Sequence, residues 1–313
     1  MANENINSMR IYDFNTLMKS MKTQDVSNIK NYSIPLEKMP KVKDQQDYCC
    51  CVACALSSVL EFFNQVETGK YKELSISYIY GKHRPKDSNS SGMFVETAIK
   101  CLLEKGSVPV EFFPKLMEMP EVKKELQNRD DLDKIAIPYK IQGYCKINGQ
   151  NIDDLYKKVK LALINYNTPI VAWSNRGFAE NHCFIIYGVE FKNNMPYVLF
   201  QNSYGENYGK NGRASLPLAD VKDMYLLFDE QVKLPFEDVP ENAWFYKNVL
   251  HMYSAGLISG KSETEFKPND YITRAEVCSI LDRMLSKLDE NNLSQFTSLE
   301  NRLQNIENKL FFS

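Results

Sequence analysis

Residues 47–63 read DYCCCVACALSSVLEFF. Three cysteines stand in a row, and a fourth follows three residues later. From Cys51 onward, Val52, Ala55, Leu56, Val59, Leu60 and Phe63 recur at helical spacing. That pattern predicts a buried helix beginning at the cysteines. A thiol at a helix start faces the positive end of the dipole, which favours the thiolate. Cys51 occupies that place. Cys54, one turn further in, is expected to be a small buried residue, and Cys49 and Cys50 fall in the preceding loop. A Cys51-x-x-Cys54 redox pair would want a βαβ setting, and a zinc site would want a second pair of close ligands. The sequence offers neither, so no metal or other cofactor is expected.

Upstream, IPLEKMPKVKDQQDY (34–48) is extended and broken by Pro35 and Pro40. Downstream, SSGMFVETAIKCLLEKG (90–106) predicts an amphipathic helix stopped at Gly106. IDDLYKKVKLALINYN (152–167) predicts another, with Asp153 and Asp154 in its first turn. TPIVAWS (168–174), HCFIIYGVEF (182–191) and MPYVLFQNS (195–203) are β-rich and bounded by Gly, Asn and Pro. The stretch 204–218 is punctuated by glycine and reads as a hairpin or loop. Helices come first and strands after, which implies an α+β domain over 31–230 behind an N-terminal extension, 1–30. The character changes at Leu234-Pro235, where a small helical module (235–287) begins. A tail, 288–313, follows without Gly or Pro.

The chain has 313 residues, enough for one large domain and something smaller. A net charge of -2 leaves no electrostatic footprint for nucleic acid or an anionic membrane. No apolar run is long enough to span a bilayer, and the polar N-terminus lacks a signal-peptide core. Eight cysteines with no export signal are expected to be free thiols in a reducing, cytoplasmic setting. Any imidazole chemistry must use His83, His182 or His251. His83 is expected in a solvated loop and His251 on a structural helix. Cys101, Cys145, Cys183 and Cys278 are expected to be buried packing residues.

VKDQQDYCCCVACALS (42–57) resembles the active-site loop and helix of papain-like cysteine proteases. In that family an oxyanion-hole glutamine precedes the nucleophile by six residues, the spacing of Gln45 and Cys51. NHCFIIYGVE (181–190) resembles the strand carrying the general-base histidine, which implies His182. FQNSYGENYGKNGRASLPL (200–218) resembles the segment carrying the orienting asparagine. That implies Asn202, with Tyr204 where the family usually has a tryptophan shielding the His–Asn bond. SSGMFVETAIKCLLEKGSVPVEFFP (90–114) resembles the substrate-cleft loop and its helix. The resemblance implies cleft residues Ser91, Gly92, Met93 and Asn181. It also implies a papain-like fold, with a helical and a β-rich subdomain and a cleft between them. The sequence departs from the family at Tyr48, where a disulfide cysteine is common, and at Cys49-Cys50 and Val52, which replace Gly-Ser and Trp. The implied activity is endopeptidase cleavage of a peptide or protein through a thioester acyl-enzyme. The alternatives are an inactive papain-like binding or assembly protein, and an amidase or transpeptidase using the same triad.

FEDV (236–239), Trp244, Tyr246, AGLISG (255–260), FKPND (266–270) and ITRAE (272–276) together resemble an S-layer homology (SLH) domain. That family binds secondary cell-wall polysaccharide, usually as three copies in a pseudo-trimer, with the arginine of its TRAE motif near the glycan. Here that implies Arg274, and it favours the cell surface where the missing signal favours the cytoplasm. This chain has one copy. In the tail, Phe296, Leu299, Leu303, Ile306 and Leu310 recur at spacings 3, 4, 3, 4, a heptad seam expected to join copies as a trimer or dimer.

Overall fold

A computed structural model of the chain describes residues 11–20, 25–84, 91–176, 181–229 and 234–286. The heptad tail therefore lies outside the described residues. The chain divides into two compact units, Met1–Lys233 and Leu234–Ser313.

The first unit opens with β1 (Ile11–Tyr12) and α1 (Phe14–Ser20). Asp13 caps α1 by accepting from the Thr16 backbone N–H at 2.9 Å. Tyr12, Phe14, Leu17 and Met18 are buried in the main core. The expected extension over 1–30 is, in its described part, built into the domain. Its polar composition hides four well-placed apolar residues.

After β2 (Tyr32–Ser33) comes α2 (Cys51–Thr68), which begins at Cys51 as the periodicity predicts. Residues 52–63 of α2 are all buried, including Ser57, Ser58 and Glu61. A helix buried on every side runs through the centre of the unit rather than along its surface. Gly69 ends it at φ 68, a left-handed cap that glycine adopts without strain. Then follow α3 (Ile76–Lys82), α4 (Val95–Lys105), α5 (Met119–Leu126) and α6 (Asp131–Ala136). α4 stops at Gly106, as expected. An added Cβ there would stand 2.1 Å from the Ala136 carbonyl oxygen.

The β half holds β3 (Gly143–Lys146), α7 (Ile152–Tyr166), β4 (Ile170–Ser174), β5 (His182–Lys192), β6 (Met195–Gln201), β7 (Arg213–Pro217) and β8 (Val221–Phe228). The sheet order is β1-β3-β8-β4-β5-β6-β7, with β2 on β5. β1 runs parallel to β3, and the other pairs are antiparallel. β5 packs against α2 and is buried from His182 to Val189. The order of helices before strands thus holds in outline. It is broken by β1 and β2, each too short to leave a periodic signal.

In the second unit Phe236, Val239, Val249 and Tyr253 form a small core around α8 (Tyr246–Ser254). No described helix is long and apolar enough to cross a membrane.

Candidate active site

Two elements end at one place. α2 begins at Cys51, and β5, which lies against it, begins at His182. β6 runs antiparallel to β5 with Gln201 opposite Ile185, so the chain leaving β6 carries Asn202 back toward His182. His182 Nε2 lies 2.5 Å from Asn202 Oδ1. The Ser203 backbone N–H donates to that same oxygen at 2.7 Å. Both contacts require the amide oxygen there, so Nε2 carries the proton and Nδ1 keeps a lone pair. The imidazole is thus held in the form a general base needs.

The Cys51 sulfur accepts from the backbone N–H of Cys183, the residue after His182. Burial pushes the Cys51 thiol above its ordinary value, and the Cys183 N–H pulls against that rise. Burial likewise lowers the His182 imidazole, opposed by the Asn202 bond. At Cys51 burial thus works against the lowering that a helix start supplies, and at His182 it works against the imidazolium. A proton passing from thiol to imidazole would create both charges together, each compensating the other.

The other cysteines differ in kind. Cys49 is exposed. Cys50 is fully buried, with its sulfur 3.9 Å from that of Cys54. This is far beyond a disulfide bond length of about 2.05 Å. The Cys54 thiol is pushed well up, first by its hydrogen bond with Cys50 and then by burial.

Gln45 is buried and anchored on three sides. Its Oε1 accepts from Ser203 Oγ at 2.6 Å, and its Nε2 donates to the Tyr48 carbonyl at 2.8 Å. Its backbone N–H donates to the Ser203 carbonyl at 2.8 Å. The amide has a second N–H to offer. The sequence expectations do not include Ser203; its position next to Asn202 in QNSYG is the available signal. Tyr204 stacks on His182 with ring centroids 4.5 Å apart. Its hydroxyl lies 3.1 Å from Nδ1 and donates to the lone pair there.

Asn181 is exposed at φ 52 and turns the chain into β5. Ser91 and Gly92 are exposed and Met93 is half-buried. Tyr80 ties this segment down by donating to the Ser91 carbonyl at 2.6 Å. Arg274 is exposed and belongs to the second unit. No group of His, Cys, Asp and Glu suited to a metal occurs among the described residues.

Several expectations need correction. His83 is 1% exposed rather than solvated. It closes α3, its Nε2 lies 2.7 Å from the Gly106 carbonyl, and burial lowers its pKa to about 3. The hydrophilic run after it conceals a helix end packed inside the domain. Cys278 is exposed and Cys101 half-buried, whereas Cys145 and Cys183 are buried as expected. The side chain of His251 lies outside what is described.

Residues 235–278 match the family model of the S-layer homology domain. A 61-residue stretch, 20% of this chain, is 38% identical to 5% of the surface-layer 125 kDa protein of Lysinibacillus sphaericus. A longer stretch of 187 residues, 56% of this chain, is 24% identical to 55% of the viral cathepsin of Autographa californica nuclear polyhedrosis virus. The chain thus spans about half the length of that cathepsin and a small part of the surface-layer protein. Xylellain, a cysteine protease from Xylella fastidiosa, superposes with a TM-score of 0.52 at 18% identity, covering 70% of this chain and 90% of that one. The proform of the ragweed pollen protease Amb a 11 gives 0.52 at 16%, covering 68% and 70%. The first unit therefore has the papain-like fold, and an SLH domain follows it.

Proposed function

We propose that the chain is a cysteine peptidase acting through Cys51, His182 and Asn202. The observation that carries this reading is the bond from His182 Nε2 to Asn202 Oδ1, beside a helix that starts at Cys51. Asn202 fixes the tautomer, and Nδ1 takes the Cys51 proton. The thiolate attacks the peptide carbonyl. The free N–H of Gln45 and the backbone N–H of Cys51 meet the oxyanion. Collapse expels the amine, which takes the proton from His182 and leaves a thioester on Cys51. Water, deprotonated by His182, then hydrolyses it. Ser91, Gly92, Met93 and Asn181 are read as cleft residues. The module over 235–278 is read as the part that holds the chain to cell-surface polysaccharide, with exposed Arg274 in the contact.

An epoxide-type thiol inhibitor followed by peptide mapping tests the site, and a peptide library tests the reaction. Labelling confined to Cys51 together with library cleavage is expected. No labelling would favour an inactive binding protein. Labelling without cleavage would favour an amidase or transpeptidase.

Tyr204 makes a separate prediction. Its hydroxyl uses the lone pair that must accept the thiol proton. Tyr204→Phe should therefore speed alkylation of Cys51 below neutral pH about fivefold, the equivalent of one neutral hydrogen bond of about 1 kcal/mol. Iodoacetamide rates against pH check this. An unchanged or slower acid limb would mean that the tyrosine only covers the histidine.

A further inference from the structure

Gln201 closes β6 immediately before Asn202 and is 2% exposed. Its Nε2 donates to the Pro40 carbonyl at 3.1 Å and to the Lys41 carbonyl at 3.4 Å. Two carbonyl partners fix which end of the amide is nitrogen. Its Oε1 is buried and accepts from no described residue. Buried polar atoms in folded proteins are met by a partner, so this oxygen calls for a donor.

The side chain borders a cavity of about 10 Å³, lined also by Lys43, Cys54, Ser58, Asn202 and Ser203, all of them buried. That is close to the volume of one water-sized sphere, and a buried water needs two to four polar partners. The partners on offer come from three segments. Lys43 stands two residues before Gln45. Ser58 lies about two turns along α2 from Cys51. Gln201 adjoins Asn202. The Lys43 ammonium has three N–H groups; one goes to Glu61 Oε1 at 2.5 Å, and Glu73 stands 3.6 Å off. It therefore has an N–H to give. Its charge disfavours a cation in the cavity, and an anion without hydrogen could not donate to Gln201 Oε1. What fits is a neutral group of one heavy atom that both donates and accepts.

We infer that this cavity is a binding site for a single internal water, which donates to Gln201 Oε1 and Ser58 Oγ and accepts from Lys43 Nζ. From behind the site, that water joins the segments that carry Cys51, Gln45 and Asn202. The inference is independent of the peptidase reading, because filling the cavity needs no turnover.

A high-resolution crystal structure of the full chain reads the site directly. One oxygen peak is expected within about 3.2 Å of Gln201 Oε1 and of Lys43 Nζ. A dry cavity, or a protein donor on Gln201 Oε1, overturns the inference. Two substitutions of equal shape test it in solution. Ala55 also lines the cavity, and Ala55→Val and Ala55→Thr both fill it. Only threonine brings a hydroxyl to replace the water. In a polar, hydrated cavity the threonine variant should unfold at the higher urea concentration, by about 0.5 M for one hydrogen bond. In a dry, apolar cavity the order reverses. Trp173 fluorescence in a Trp244→Phe background reads both midpoints. A valine midpoint equal to or above that of threonine overturns the inference, and if neither variant folds the crystal of the parent decides.

Discussion

On the proposed reading, Cys51→Ala should cut peptide cleavage to the background rate, a loss of about a thousandfold or more, because the variant lacks the thiol that would form the thioester. The neighbouring thiols cannot substitute. Cys49 faces solvent, and Cys50 points inward onto Cys54. Cys54 is fully buried, with its thiol pushed well above the ordinary range. Cys51 alone combines the helix start with a sulfur held against the residue after His182. Cys54→Ala should therefore leave turnover within a few-fold of the parent and lower stability by about 1–2 kcal/mol through lost packing. Initial rates on a fluorogenic peptide drawn from the library decide. A Cys51→Ala protein with parental rates would end the assignment, and inactivity confined to Cys54→Ala would move the nucleophile.

Residues that carry strong local signals are legible in the sequence alone. The apolar spacing from Val52 to Phe63 marks a buried helix and its first residue. The β-rich runs 182–191 and 195–203 mark two strands, and antiparallel pairing brings His182 and Asn202 together. What escapes reading depends on contacts across long separations. VKDMYLLF (221–228) becomes β8 between β3 and β4, although nothing local names its neighbours. GYCK (143–146) is too short for a period to appear, yet β3 anchors both β1 and β8. His83 stands in a polar run, and only its packing on Gly106 buries it. Ser203 looks like one more loop serine until Gln45, far upstream, is folded against it. Glu61, on the apolar helix, reads as an interruption; its partners lie on two other segments, Lys43 on one and Tyr71 and Leu74 on the other.

Those partners make Glu61→Ala the most damaging structural substitution expected here. Glu61 is wholly buried on α2. Its Oε1 accepts from Lys43 Nζ at 2.5 Å and from the Leu74 backbone N–H at 2.8 Å, and its Oε2 accepts from Tyr71 at 2.8 Å. Lys43 is itself 5% exposed, with Glu73 a further 3.6 Å away. The Lys43 carbonyl also accepts from the Gly205 N–H at 2.9 Å, and Gln45 follows two residues later. One carboxylate thus binds the Gln45 loop to the helix that carries Cys51. Alanine would strand a buried ammonium and a buried N–H, at a cost of about 3–5 kcal/mol. Lys43→Met with Glu61→Leu should cost less than Glu61→Ala alone, because it removes both charges together. Trp173 fluorescence in urea, with Trp244→Phe to silence the second unit, reads the first unit alone. In the folded fraction kcat should fall more than KM changes, because Gln45 loses its support. The pH dependence has a definite sign. Burial raises the Glu61 carboxyl above its ordinary 4.5, against the pull of Lys43. Between 4.5 and that raised value, the native state holds a proton that the unfolded chain has already released. Stability from this group is full below 4.5 and declines as pH rises through the raised value. Glu61→Gln, which cannot ionise, should abolish that decline while Lys43 loses its counter-charge. If Glu61→Ala unfolds within about 1 kcal/mol of the parent, the carboxylate is not what fixes the loop.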